Sequence, residues 1–563
     1  MWFESVGVNR RVAAAIMIVF ALLTGACFGQ GTVDQQNNPA WTRGAVNIAP
    51  VNKVSQTFVP SLPWLISVEV ALMTGNAGRG GDQITLTVLG AGDVKLASAA
   101  LPLSEGFDGF LRFNLPGGGI SVTPGQPITI MLQDTGKIVF WWKYNNRNPY
   151  TSGKAYFYGS AFQDNDFLFR TYGTNKPIWS YSVAPNWVNW ASISGDGGMV
   201  LTGSFRMNTT TTYGVYCLDK TGTLKWMDSL ASAFEGVFWT AISRNGAYGA
   251  TGGWGTNYKG FVRAYNIATG QRLLDDATEK RVNVVALSND GSWFIAADGG
   301  KNSQHSTLRL YRLQGSGSAL SYTLSSQYDS GSNNIGTASI SQDGAWIVMG
   351  ASHGSVSLFA NVNGQLTLKN TWPSGALYVE FVDISADGSA FGASFPDGRI
   401  AVFDLQKFAT TGNPPWTAQI NGSQPSRLHS CGGDNVYGIR VSSNGTQVVA
   451  ASNCYPDSAG GWIDMFKNPS KTGANNPPPE WSYFTKRPPN PGLSMDGAMK
   501  YVAVADGHPV GTQGDFYLLD ATTGREIWNY QSGDMNWPIS LSYDGKYIVG
   551  GSDDGKVYFW KNY

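Results

Sequence analysis

The chain has 563 residues, too many for one compact core, so at least two domains are expected. Its 39 Lys plus Arg balance its 39 Asp plus Glu, and only 14% of residues are charged. That balance excludes the basic excess of a nucleic-acid binder. Seventy glycines, 13% aromatics and 42% hydrophobic residues exclude disorder and fit a turn-rich all-β protein.

Residues 1–29 read as an export signal. Arg10 and Arg11 precede an apolar run from Val12 to Leu23, which is shorter than the roughly 20 residues a spanning helix needs. Thr24-Gly25-Ala26-Cys27 follows and resembles a loose lipobox, with Thr24 where leucine is usual. Cys27 is therefore a candidate for lipidation, and ordinary cleavage near Ala26 to Gly31 is the other reading. Both give a secreted or cell-envelope location. Residues 30–50 are polar and patternless, as in a linker.

Residues 51–173 hold short alternating runs such as LISVEVALM, QITLTVLG and PITIMLQD, separated by Gly, Pro and Asn clusters. Seven or eight such runs predict an antiparallel β-sandwich. Trp141, Trp142, Tyr144, Tyr150, Tyr156 and Tyr158 make one end aromatic-rich, which suits a filled core or a sugar-stacking surface. Asp164, Asn165 and Asp166 are candidate ligands of a structural calcium ion. No other cofactor is predicted.

From about Thr174 to Tyr563 the chain repeats one unit, seen most plainly in SYDGKYIVGGSDDGKVYFW from Ser542 to Trp560. S-x-D/N-G sites begin at Ser194, Ser243, Ser288, Ser341, Ser385, Ser442, Ser494 and Ser542. Each supplies the positive φ of a tight turn, so each copy is a three-strand meander. Repeats at this spacing cannot bury their faces alone, and an array of eight predicts an eight-bladed β-propeller. The last copy ends on its third strand. Pro177 to Val183, one strand ahead of the first copy, is expected to supply the missing outer strand and close the ring. Trp226, Trp372, Trp416, Trp481 and Trp528 mark fourth strands, and Trp179 has the same context. The Pro-rich stretch from Asn475 to Pro491 is expected to be a surface excursion.

The pairs S-x-D-G and D-G-K-V, with Trp560 closing the third strand, resemble WD repeats. Asp520-Ala-Thr-Thr-Gly524-Arg-Glu-Ile-Trp528 resembles the tryptophan-docking motif of quinoprotein propellers, and Asp219 to Trp226 is a version one residue shorter. The segment 51–173, with its opening S-Q-T-F and closing D-F-L-F-R-T-Y-G, resembles jelly-roll accessory domains of exported proteins. The quinoprotein resemblance implies a redox cofactor under adjacent cysteines and over a calcium seat. This sequence has no adjacent cysteine pair, and C-x-x-C-H, H-E-x-x-H and phosphate-loop motifs are absent.

The expected function is therefore non-catalytic binding or scaffolding of a protein or glycan at the cell surface, with no nucleic-acid partner. A quinoprotein-like oxidoreductase, or another enzyme with a site at the channel mouth, is the alternative. Rings that open innermost strands stand at the channel mouth, and Trp187, Trp190, Trp239, Phe381, Tyr437 and Trp537 are the ligand-binding candidates. His305, His353, His429 and His508 fall in loops of the same rim. Cys431 and Cys454 flank two strands of one blade and are candidates for a disulfide, whereas Cys217 reads as a buried thiol.

Overall fold

A computed structural model describes residues 31–563 except the segments 39–43, 49–52, 76–82, 103–105, 135–139, 147–149, 207–212, 231–233, 300–304, 332, 422–426, 430–434, 455–459, 469, 471–477 and 508–512. The export-signal reading of residues 1–29, with Cys27, lies outside the described residues. Among them the chain is all-β apart from one α-helix, Leu405–Thr411, and a few 3-10 turns. They divide into two compact units, one running to Lys176 and including Ile527–Tyr530 and Tyr563, the other comprising Pro177–Glu526 and Gln531–Asn562.

The first unit has an eight-stranded and a six-stranded sheet, and every strand pair is antiparallel. Period-two alternation, as in Ile128–Asp134, sends every second side chain inward. Phe58, Val68, Leu86, Phe113, Ile130 and Phe169 from both sheets share one core. The polar stretch read as a linker contains two strands. Thr32–Asn37 pairs with Phe169–Thr174, and Gly44–Ile48 pairs with Phe140–Asn145. TVDQQN sits at the edge of its sheet, where backbone pairing holds a strand without apolar alternation.

The second unit has six four-stranded sheets and one of eight strands. The larger sheet is two meanders joined only through Phe205 and Gly236. The meanders open on inner strands Trp187–Ile193, Phe234–Ile242, Arg281–Leu287, Ile335–Ile340, Phe381–Ile384, Val436–Val441, Pro489–Met495 and Asn536–Leu541. Each inner strand touches the next, and the last touches the first.

The turns explain the repeat chemically. Ser194 Oγ donates to Asp196 Oδ1 (2.7 Å) and accepts from Met199 N–H (3.0 Å), while Asp196 Oδ1 also accepts from Gly198 N–H (2.9 Å). Gly197 takes the left-handed conformation this closure needs (φ +72°), and a Cβ there would come within 2.2 Å of the Tyr547 ring. The same serine–carboxamide or serine–carboxylate lock recurs at Ser243, Ser288, Ser341, Ser385, Ser442 and Ser542. The seventh copy departs from the expected register. Asp496, not Ser494, accepts from Tyr501 N–H (2.8 Å), and Met499 takes the left-handed position (φ 58°). A carboxylate replaces the serine hydroxyl as acceptor, which shifts the turn two residues along.

Backbone hydrogen bonds stitch these turns into a belt. Gly195 N–H donates to Arg244 O (2.8 Å), Asn245 to Asn289 (3.3 Å), Asn289 to Gln342 (2.7 Å) and Gln342 to Ala386 (3.3 Å). Asp387 N–H donates to Ser443 O (3.0 Å), Gly497 to Tyr543 (2.9 Å) and Asp544 back to Gly195 (3.2 Å). The Ser443 hydroxyl bridges to Gly497 O (2.9 Å) and completes the circuit.

Two kinds of aromatic joint link successive meanders. The ring opening a second strand packs on the next turn glycine, as with Tyr248 on Gly291, Trp293 on Gly344 and, across the end of the array, Tyr547 on Gly197. Outer-strand Trp226 covers Gly270 and donates to Ile267 O (2.7 Å), and Trp481 covers Gly524 and donates to Ala521 O (2.8 Å). Trp179 makes the same joint, covering Gly222 and donating to Lys220 O (3.0 Å). It belongs to Trp179–Ser182, which pairs with Lys556–Lys561 as the fourth strand of the C-terminal sheet.

The Pro-rich stretch is not wholly an excursion, because Pro489–Met495 is an inner strand and Pro489, Asn490 and Pro491 are buried. An inner strand has a hydrogen-bonded neighbour on one side only, so missing N–H groups on the other side are tolerated.

Candidate functional site

The inner strands surround a central cavity of about 340 Å³ to which every one of them contributes. All but Phe381–Ile384 carry a register shift in their first half, for example between Val188 and Ala191 and between Val237 and Trp239. Such a bulge resets side-chain alternation and re-aims the residues beside it. Trp190 and Trp239 are turned to the cavity in this way, and Phe381, on the strand without a shift, faces it with them. Trp190 and Trp239 stack at 3.5 Å, and Trp239 meets Phe381 at 5.8 Å. Trp187, Tyr437 and Trp537 do not line it. Trp187 lies under Arg206, and the Tyr437 hydroxyl accepts from Asn435 Nδ2 (2.9 Å).

At this end the first two meanders carry an aromatic cluster, joined by the guanidiniums of Arg206 and, from the third meander, Arg281. Phe238 stacks on Trp254 (4.2 Å), which meets Phe205 edge-on. Arg281 lies over Trp254 and Tyr258, with its charge held by Glu235 (2.6 Å). Trp187, Phe238, Trp239 and Tyr258 keep partial exposure. Tyr258, Trp254 and Arg281 come from loops and strand ends of no distinctive local pattern. The signal available in the sequence was the density of W and F at the starts of the first two inner strands, Trp187, Trp190, Phe238 and Trp239.

The turn end of the channel is crossed by Arg244, whose guanidinium lies over the Tyr543 ring and donates to Gln342 Oε1 (2.6 Å). Burial pulls it down to about 10, so it stays cationic at neutral pH. Between the two ends, side chains tie inner strands together. Ser192 Oγ donates to Thr240 O (2.8 Å), Ser540 Oγ donates to Ala191 O (2.9 Å), and Thr337 Oγ1 accepts from Val382 N–H (3.2 Å). Asp383 has the same role, its Oδ2 accepting from Val441 N–H (2.8 Å). Burial raises the Asp383 carboxyl, opposed first by Arg440 and then by that hydrogen bond.

The three histidines among the described residues do not converge. His305 pairs with Asp329 (2.9 Å), His353 meets Asn333 Oδ1 (2.9 Å), and His429 stacks on Trp462 (4.1 Å) and bonds Asp464 (3.0 Å). His508 lies outside the described residues. Cys454 is held in a disulfide and Cys217 is a buried free thiol. Cys431, the expected partner of Cys454, lies outside the described residues. In the first unit Trp142 is fully buried on Phe167 (4.4 Å), and Tyr150 is nearly so. Asp166 is buried and takes bonds from Gln56 Nε2 (3.0 Å) and Tyr150 N–H (3.3 Å). It therefore points into the core rather than outward beside Asp164.

No family model and no curated protein sequence matches the chain. Among solved structures the chain is similar to Sqt1 of Chaetomium thermophilum, bound to the N-terminus of the ribosomal protein L10. The alignment covers 69% of this chain and 100% of that one, with a TM-score of 0.53 and 14% identity. At that identity the likeness is one of fold, and with the antiparallel sheets described above it makes this an all-β protein with a WD-like β-propeller.

Proposed function

We propose that this chain is an exported, surface-held binding or scaffold protein without catalytic activity, whose channel mouth takes a protein segment. The observation that carries the reading is the partly exposed cluster of Trp187, Phe238, Trp239 and Tyr258 with Arg206 and Arg281 beside it. Flat rings on stiff strand ends offer contact area at low entropic cost, and guanidiniums supply planar hydrogen bonding to backbone or carboxylate groups. The neighbouring structure, a propeller bound to the terminus of another protein, supports a peptide partner over a glycan.

The architecture proposed with it is a jelly-roll-like β-sandwich followed in the chain by an eight-bladed ring closed by Trp179–Ser182. The tryptophan-on-glycine joints at Gly222, Gly270 and Gly524 support the quinoprotein-like side of that ring. Export, with lipid attachment at Cys27 as one form of it, rests on the Arg10-Arg11 and apolar-run pattern. Peptide and glycan arrays probed with the mature chain, and with Trp187→Ala and Tyr258→Ala variants, test the binding reading. Peptide signals that both variants weaken are expected, and signals on glycans alone would overturn it. An absorption band on adding pyrroloquinoline quinone with calcium would overturn the non-catalytic part. Mass spectrometry of the mature N-terminus decides the fate of Cys27.

A further inference from the structure

The channel cavity holds two opposite charges that do not touch each other. Asp383 comes from Phe381–Ile384 and Arg440 from the adjacent Val436–Val441, and both line the cavity. Among the described residues no carboxylate lies within ion-pair distance of Arg440. Its protein contacts are a hydrogen bond to Ile439 O (3.0 Å) and the face of Phe381 (5.8 Å). The stitching role of Asp383 needs only an acceptor, and on the neighbouring inner strand Thr337 fills that role with a hydroxyl. A carboxylate there brings a charge the stitching does not require.

Burying a charge is costly unless a partner satisfies it, and two opposite charges lining one cavity would normally collapse onto each other. Here backbone bonds hold them apart, Asp383 to Val441 N–H and Arg440 to Ile439 O. The arrangement complements a molecule carrying both charges in the opposite order. The stacked Trp190 and Trp239 with Phe381 offer apolar surface at one end, and Arg244 crosses the other. We propose that the channel cavity binds a small zwitterion of the α-amino-acid type, its carboxylate on the Arg440 guanidinium and its ammonium on Asp383. Arginine suits the carboxylate because its fork can bond both oxygens at once. This site shares Trp239 with the partner-binding cluster at the mouth, but its charged pair, Asp383 and Arg440, lies outside that cluster and does not depend on that reading.

Isothermal titration of the mature chain with leucine, acetate and ethylammonium as separate probes tests the proposal. Leucine is expected to bind at least tenfold more tightly than either single-charge probe. Arg440→Gln and Asp383→Asn are each expected to weaken leucine at least tenfold, with Arg440→Lys falling between. Asp383→Asn keeps an acceptor for Val441, so near-UV dichroism should match the parent. Should a variant fail to fold, the three probes on the parent chain still decide. Absence of binding by every probe, acetate binding as tightly as leucine, or undiminished leucine binding by Asp383→Asn would each overturn the proposal.

Discussion

Removing the Trp179 ring tests the closure of the propeller directly. Trp179 lies flat on Phe559 (4.8 Å, 6° between planes), donates to Lys220 O (3.0 Å) and covers Gly222, where a Cβ would come within 2.7 Å of the ring. A half-buried indole covers on the order of 150 Å², worth about 4 kcal/mol at roughly 25 cal/mol per Å². The N–H bond adds about 1 kcal/mol, and residual compactness of the unfolded chain removes about a quarter of the area term. Trp179→Ala should therefore cost about 4 kcal/mol, and Trp179→Phe, which loses mainly the hydrogen bond and part of the ring, about 1–2 kcal/mol. Trp226→Ala breaks an equivalent joint inside the array and serves as the reference. Urea unfolding followed by far-UV dichroism measures all three. If Trp179→Ala costs under about 0.5 kcal/mol, within the range of an ordinary surface substitution, while Trp226→Ala costs several, the closing joint is not formed and the ring argument fails.

The other predictions concern the turn belt, the disulfide and a buried acid. Arg244→Ala loses its stacking on Tyr543 and its bond to Gln342, and should lower stability by about 2 kcal/mol in urea melts; an unchanged midpoint would remove Arg244 from the channel floor. Reduction of the Cys454 disulfide should cost about 3 kcal/mol if Cys431 is its partner. Non-reducing peptide mapping identifies that partner, and a free Cys454 thiol would refute the pairing. Asp506, buried beside Asp515, is pushed up to about 7 against hydrogen bonds from Asp515 N–H, Tyr517 and Arg487. The folded chain thus retains a proton that an unfolded carboxyl releases near pH 3.9. This contribution is full below about pH 4 and is lost as pH rises through about 7. The urea midpoint of the parent should therefore fall from pH 5 to pH 8 more steeply than that of Asp506→Asn, and the reverse slope would refute it.

The sequence by itself determined the meanders, because the chemistry that makes them is local. A serine, an acceptor two residues on and a glycine with positive φ close seven of the eight turns without help from the rest of the chain, the copy at Asp496 being the exception. It also marked the closing strand, since Trp179 stands in the same context as Trp226. A further local signal was present but unused. Asp404 caps the helix Leu405–Thr411 by accepting from Lys407 N–H (3.0 Å), Gly412 ends it in the left-handed conformation, and Leu405 and Phe408 face inward.

Only the tertiary structure decided which aromatic rings meet. Trp187 and Trp190 open the same strand, yet the bulge after Val188 turns Trp190 to the cavity, and a bulge follows from neighbouring strands rather than from the residues it displaces. Edge pairing likewise made strands of TVDQQN and of the proline-bearing Pro489–Met495, where side-chain pattern gives no warning. The separated charges of Asp383 and Arg440 are 57 positions apart in the chain. They share a cavity because inner strands of successive meanders lie side by side, a distance no local pattern encodes.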